Sequence, residues 1–263
     1  MNLTVWGTRG SFAAPGAEYV GLGGNTTCIE ITAGAGRLII DLGTGSIPLA
    51  ASLVAGAHGR GASLSILLSH THIDHIQGLP FFSPFFIAGN RIRILGPSTA
   101  DAPLEHLLQQ YLRPHHSPLH GLENLAATVT VDEVDCGTDL TVEGFTVRAL
   151  PVLHGHATAL GFRISDGRRT VAIMTDVDGH DDNTAQLATG ADLLIHGATI
   201  LDGAQSSIAA AIALAERAHV PRVILTHFAP GATDAAILAA ITAAAATTSI
   251  AVSAARESFP IPL

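Results

Sequence analysis

The run Ser69-His70-Thr71-His72-Ile73-Asp74-His75 concentrates four side chains able to ligate a metal ion in one short stretch. It follows the apolar segment Ser63–Leu68 and continues into Gly78-Leu79-Pro80, so it reads as the tight turn at the end of a buried strand. Imidazole and carboxylate donors suit Zn²⁺, and this density in a single turn suits two ions better than one. A polar loop with incidental histidines would not also close a buried strand. The composition narrows the chemistry further. There are 14 histidines against 13 Lys+Arg, and all of those 13 are arginine. Without lysine, Walker-type phosphate loops, Schiff-base chemistry and lysine bases are excluded. The 22 Asp+Glu give a formal net charge of −9, which argues against binding long nucleic acid, because that needs a basic footprint. Cys28 and Cys136 are too few for a disulfide framework or a cysteine-rich zinc site.

The elements that must position these groups are short apolar runs punctuated by Gly, Asn and Asp. Strands are expected over Leu3–Trp6, Thr27–Thr32, Arg37–Asp41, Ser63–Ser69 and Arg91–Leu95. Helices are expected from Ser46 toward Ala57 and over Asp101–Leu112. The second half repeats this grammar, with strands Thr128–Val134, Leu140–Val142, Thr146–Leu150, Ala159–Ile164 and Thr170–Met174. Strand Leu193–His196, helix Ser206–Arg217, strand Arg222–Thr226, helix Asp234–Ala245 and strand Ser249–Val252 follow. Strand-rich stretches that pass into helix–strand alternation, twice, predict an α+β fold: a four-layer αββα sandwich of two mixed β-sheets flanked by helices. Residues 1–263 are read as a single domain, with a core rich in Ala, Leu, Ile and Val because only 5% of residues are aromatic. The start lacks a basic segment followed by an apolar one, and Ala235–Val252 is broken by threonines. The expectation is therefore a cytoplasmic protein with no membrane association.

With these motifs in place, the chain resembles the metallo-β-lactamase-fold hydrolases along nearly its whole length. The start Gly7-Thr8-Arg9-Gly10-Ser11, with Gly23-Gly24-Asn25-Thr26-Thr27-Cys28, is similar to the branch near ribonuclease Z and the small phosphodiesterases. Asp41-Leu42-Gly43-Thr44-Gly45 resembles that family's D-x-G-x-G turn. The resemblance implies two Zn²⁺ per chain, with Mn²⁺ as an alternative ion. It places His70 and His72 on the first ion and Asp74, His75 and His227 on the second, with Asp176 bridging. Asp176 read alone could instead cap the helix after Gly179, and His227 alone could be a core imidazole. The remaining ligand of the first ion comes from Pro151-Val152-Leu153-His154-Gly155-His156. Family spacing puts a histidine six residues before a Gly-aromatic pair, but here His154 and His156 lie seven and five before Gly161-Phe162. His154 is preferred because Pro-Val-x-His preserves the approach from the strand.

The chain also departs from the pattern. Asp192-Leu193-Leu194-Ile195-His196-Gly197-Ala198-Thr199 resembles the branch's D-x-L-x-H-[DE]-A-T segment, but the acidic position is Gly197. Gln205 stands where the branch has its partner histidine, so the expected acid–histidine pair is lost at both ends. The loop histidines His115, His116 and His120 are candidate substitutes, and restoring the pair with Gly197→Asp and Gln205→His should help poor leaving groups. The reading is a binuclear zinc hydrolase that cleaves a cyclic nucleotide or another small phosphodiester. A metal-bridging water, made acidic by the ions, would be the nucleophile, and Asp74 would orient it while ligating. The alternative is hydrolysis of an acyl ester, thioester or lactone on the same site, and after that a non-catalytic metal-binding relative. The partner implied is a small-molecule substrate, and a homodimer is compatible with the reading.

Overall fold

The computed structural model describes residues 1–56, 60–100, 102–199 and 207–263. Strands form where Val, Ile, Leu and Thr cluster between turn residues. In the first half these are β1 (Asn2–Gly7), β2 (Cys28–Ala33), β3 (Gly36–Ile40), β4 (Ser63–Leu67), β5 (Arg91–Gly96) and β6 (Thr128–Glu133). In the second half they are β7 (Asp139–Val142), β8 (Phe145–Val152), β9 (Ala159–Ser165), β10 (Thr170–Met174), β11 (Leu193–Gly197), β12 (Arg222–Thr226), β13 (Ala251–Ala254) and β14 (Pro260–Pro262). The helices are α1 (Ser46–Ala55), α2 (Ile73–Ile76), α3 (Leu104–Tyr111), α4 (Asp182–Ala188), α5 (Ser207–Arg217) and α6 (Asp234–Ala245).

The strands form two seven-stranded sheets, in the orders β14-β1-β2-β3-β4-β5-β6 and β13-β12-β11-β10-β9-β8-β7. Each sheet is antiparallel over one half and parallel over the other. In the first, β14 through β3 pair antiparallel and β3 through β6 pair parallel. In the second, β7 through β10 pair antiparallel and β10 through β13 pair parallel. The inner faces meet in one core, where Leu3, Ile29, Ile31 and Leu38 join Phe145, Phe162, Val171 and Ile195. The outer face of the first sheet packs on α1 and α3 through Leu49, Leu53, Leu104 and Leu108. That of the second packs on α4, α5 and α6 through Leu187, Leu214 and Ile237. This is the four-layer αββα, α+β architecture.

Most expected strands appear within one or two residues of their expected bounds. The strand expected at Ser249–Val252 is β13, shifted by two residues to Ala251–Ala254. The helix expected after Gly179 is α4, and the one-turn α2 and the short β14 are additions. The expected helix ends at Ala57, Asp101 and Ser206 lie outside the described residues. A capping box starts α4: the Asp181 side chain accepts from Thr184 N at 3.0 Å, and Thr184 Oγ1 accepts from Asp181 N at 2.8 Å. Asp176 is therefore not needed as a cap. No described helix is long and apolar enough to cross a membrane.

Candidate metal centre

Each residue expected as a ligand lies in the segment that follows the C-terminal end of a strand. His70 and His72 follow β4, Asp74 and His75 lie in α2, His154 follows β8, Asp176 follows β10 and His227 follows β12. These strand ends lie together at one edge of the sandwich, and the side chains converge there. Ligating atoms of His70, His72 and His154 lie within 4.8 Å of one another, as do those of Asp74, His75 and His227, and of His70, His75 and Asp176. Asp176 faces both halves of the cluster. Its Oδ2 is 2.9 Å from His75 Nε2 and 3.1 Å from His227 Nε2, while its Oδ1 is 3.7 Å from His154 Nε2. On one side His154 Nε2 and His72 Nδ1 are 3.2 Å apart; on the other, Asp74 Oδ2 lies 3.1 Å from His227 Nε2 and 3.3 Å from His75 Nε2.

This donor set fits divalent ions. Ring nitrogens face ring nitrogens, and protons alone cannot satisfy all of them. His70, 2% exposed, buries an Nε2 with no hydrogen-bond partner among the described residues. An orphaned, buried imidazole nitrogen aimed into a cage of imidazoles and carboxylates is what a metal ligand looks like without its ion.

The surroundings hold the donors in place. Asp41, fully buried after β3, accepts from Ser69 N at 2.7 Å, Ser69 Oγ at 2.8 Å and His75 Nδ1 at 2.8 Å. That last bond directs His75 Nε2 into the cluster. Backbone bonds from Leu42 N to His75 O and from Gly78 N to Leu42 O, each 2.7 Å, tie α2 to the same turn. Asp41 and His227 both have left-handed backbones, at φ 62° and 54°, a conformation that costs a non-glycine residue energy and persists only where its surroundings impose it. Gly10 sits against the His227 ring: a Cβ there would lie 2.2 Å from a ring carbon. The next residue, Ser11, donates its N–H to Asp74 Oδ2 at 2.7 Å.

Charges follow from this packing. Burial pushes the Asp74 and Asp176 carboxyls upward, but hydrogen bonds and charge from His227 and His75 outweigh it and hold both below the usual carboxylate range. Burial lowers His75, yet Asp41 and Asp176 outweigh it and raise this imidazole well above its ordinary value. His70 is pushed down to about 2, first by burial and then by His75.

Of the other expected residues, His156 is exposed on the turn after β8 and lies outside the cluster. His115 and His116 are exposed and line a groove with Thr71, Ile73, Ile76 and Tyr111, beside the metal turn. In the stretch that follows this turn, Phe82 and Phe85 are fully buried, whereas Phe81 and Phe86 are about half exposed. Gln205 lies outside the described residues. Gly197 corrects an expectation: a Cβ there would lie 1.9 Å from the Thr175 carbonyl oxygen, so an aspartate cannot be restored without moving the backbone. Sequence reasoning missed the supporting roles of Asp41 and Ser11, which look like turn residues, and a buried His196 paired with His180.

A family model described as "Beta-lactamase superfamily domain" matches residues 40–228. Ribonuclease Z of Mycobacterium bovis (strain BCG / Pasteur 1173P2) is 29% identical over 257 residues, covering 88% of this chain and 86% of the relative. Among solved structures, the metallo-beta-lactamase fold protein YhfI from Bacillus subtilis superposes with a TM-score of 0.73 at 22% identity, over 99% of both chains. The short form of human tRNase Z superposes with a TM-score of 0.68 at 20% identity, over 100% of this chain and 99% of the other. With both its sequence and its two-sheet architecture matched, the chain belongs to the beta-lactamase superfamily and carries the metallo-β-lactamase fold.

Proposed function

We propose that the chain is a binuclear metal-dependent hydrolase of a small phosphodiester, with Zn²⁺ as the working ion. The observation that carries this reading is Asp176, whose two oxygens face the two halves of the donor cluster. Family membership and 29% identity to a ribonuclease Z make hydrolysis of a phosphodiester the chemistry to expect. His70, His72 and His154 would hold one ion and Asp74, His75 and His227 the other, with Asp176 shared. A pair of ions bound there supplies an acidified water, with a pKa of about 7, and a sink for the charge that develops on phosphorus.

The chain's own groups do the rest. Asp74, fixed by the Ser11 N–H, offers a lone pair at the cluster to orient the attacking water. Asp41 keeps His75 in place. The cleft beside Asp176, His154 and His227 has a volume of about 350 Å³, room for a compact substrate. The net charge of −9, without a single lysine, favours a small diester over a long polyanion. RNA is nevertheless the second phosphodiester to test, because the relatives are named ribonucleases. The acyl-ester reading gains from Gly197, which leaves no acidic group at that position to protonate a poor leaving group.

Parallel assays with bis(p-nitrophenyl) phosphate, a p-nitrophenyl acyl ester and a 3′-extended transfer RNA decide among these. Preference for the phosphodiester over the acyl ester supports the proposal. Turnover of the acyl ester alone overturns it, and processing of the RNA at a much higher kcat/KM overturns the small-substrate part.

A further inference from the structure

The cleft that holds Asp176, His154 and His227 also carries two histidines, His180 and His196, that belong to none of the donor groups found among the described residues. His196, 1% exposed in β11, places Nδ1 2.7 Å from the carbonyl oxygen of Gly197. A carbonyl only accepts, so that nitrogen carries the proton. His196 Nε2 lies 2.9 Å from His180 Nε2, with the rings edge to face, 5.1 Å apart at 82°. Burial, reinforced by His180, keeps His196 neutral, with its pKa pushed down to about 4. Its Nε2 is therefore a lone pair, and the proton between the rings belongs to His180.

This arrangement fixes the chemistry of His180 at its other nitrogen. Neutral His180 has a lone pair at Nδ1, and charged His180 has a proton there, while the bond to His196 is unchanged in either state. A buried partner that sets tautomer and orientation is what a proton-transferring imidazole needs. Among the described residues, the groups facing His180 are His196, Arg217 and Asp181. Burial first and then the Arg217 charge lower this imidazole below its ordinary value, against a smaller upward pull from Asp181, so its Nδ1 proton, when present, is an easily donated one.

Among the described residues, the other polar groups of the cleft are poor proton donors. Asp176 is held ionised in the cluster and His154 and His227 are committed to it. Asp178 accepts from the Gly155 N–H at 2.6 Å and so presents lone pairs. Ser11, Thr175, Thr199 and Ser207 offer only hydroxyls. An ester with an alkyl-like leaving group still needs a proton on the departing oxygen.

We propose that His180, held by His196, donates that proton, which makes His180 a catalytic residue and His196 its positioning residue; the inference rests on the phosphodiesterase reading above. As a water oxygen bonds to phosphorus, the bond to the leaving oxygen breaks and that oxygen keeps the electron pair. It takes the proton from His180 Nδ1, converting imidazolium to neutral imidazole, with the Nε2 proton still shared with His196. The proton lost by the attacking water goes to solvent, and His180 regains one from solvent, so the net change is water plus diester to monoester plus alcohol.

The test compares methyl 4-nitrophenyl phosphate, a good leaving group, with methyl phenyl phosphate, a poorer one, on zinc-loaded protein. His180→Gln should lose kcat/KM about 10²-fold on the phenyl substrate and at least tenfold less on the nitrophenyl one. The wild-type phenyl rate should fall as pH rises through the lowered His180 value, below the ordinary imidazole value of about 6.5, and the variant should lack that limb. His196→Asn, which keeps an N–H for Gly197 but offers no ring nitrogen to His180, should show a smaller loss with the same leaving-group bias. Independently of activity, ¹⁵N shifts of the histidines should show His196 protonated at Nδ1 and neutral His180 at Nε2. Equal losses on both substrates, or neutral His180 protonated at Nδ1, overturn the assignment and leave the phosphodiesterase reading standing. A wild-type protein inactive on both diesters overturns the reading and the assignment together.

Discussion

Asp41→Asn removes one oxygen from the group that orients His75. Asp41 is fully buried and takes three hydrogen bonds: Oδ1 from Ser69 N at 2.7 Å, and Oδ2 from Ser69 Oγ and His75 Nδ1 at 2.8 Å each. An asparagine must turn its NH₂ toward one side. Turned to the Oδ1 position it opposes the Ser69 N–H; turned to the Oδ2 position it opposes the His75 Nδ1–H, although the Ser69 hydroxyl can rotate to accept. Either way a buried donor loses its acceptor, at a cost of about 1–3 kcal/mol to the metal-free fold. Losing such a partner typically weakens a metal site about 10–100-fold, or about 1.4–2.8 kcal/mol. The loss should fall mainly on the ion held by Asp74, His75 and His227, because His75 bonds Asp41 directly whereas His70 reaches it only through Ser69, whose Oγ lies 3.1 Å from His70 Nδ1. Stepwise zinc titration against a chromogenic chelator measures the two affinities, and urea unfolding of the metal-free protein measures the fold. An unchanged second affinity, or equal weakening at both ions, would refute the reasoning.

His154→Ala should lower bound zinc by about one equivalent per chain, while His156→Ala, at an exposed site outside the cluster, should leave stoichiometry intact; elemental analysis reporting the reverse would reverse the assignment. Gly197→Asp should destabilise the protein by at least about 1–3 kcal/mol, because its Cβ meets the Thr175 carbonyl at 1.9 Å, and a wild-type melting temperature would contradict that contact. Metal-free protein should lose stability as pH falls from 6.5 toward 4, because unfolded His196 binds a proton that the folded chain excludes until about pH 4. That difference is worth at most about 3 kcal/mol, and urea unfolding at pH 7 and 4.5 should show a shallower fall for His196→Asn; identical falls would contradict the buried neutral imidazole.

What could be read from the sequence was local. The H-x-H-x-D-H turn announces itself because four donors follow one buried strand, and the later candidate ligands Asp176 and His227 also end apolar runs. The support of His75 was not legible, because Asp41 is 34 residues away and an aspartate before Gly-x-Gly reads as turn chemistry. The His180–His196 pair depends on the path from β10 to β11, which no spacing rule specifies. Gly197 looked like a missing acid, but its size is set by the Thr175 carbonyl of the preceding parallel crossover, a contact visible only in three dimensions. The choice between His154 and His156 turned on where β8 ends, and strand ends are the least reliable feature of a sequence pattern.

The central claim is that two divalent ions, held by His70, His72, His154, Asp74, His75, Asp176 and His227, are required for phosphodiester hydrolysis. The direct measurement is to strip the protein of metal and titrate it with Zn²⁺, following bound zinc and bis(p-nitrophenyl) phosphate hydrolysis in the same samples. Binding should saturate near two ions per chain, and activity should be absent from the stripped protein and return as the sites fill. Saturation below one ion per chain, or full activity in the stripped protein, would contradict the account.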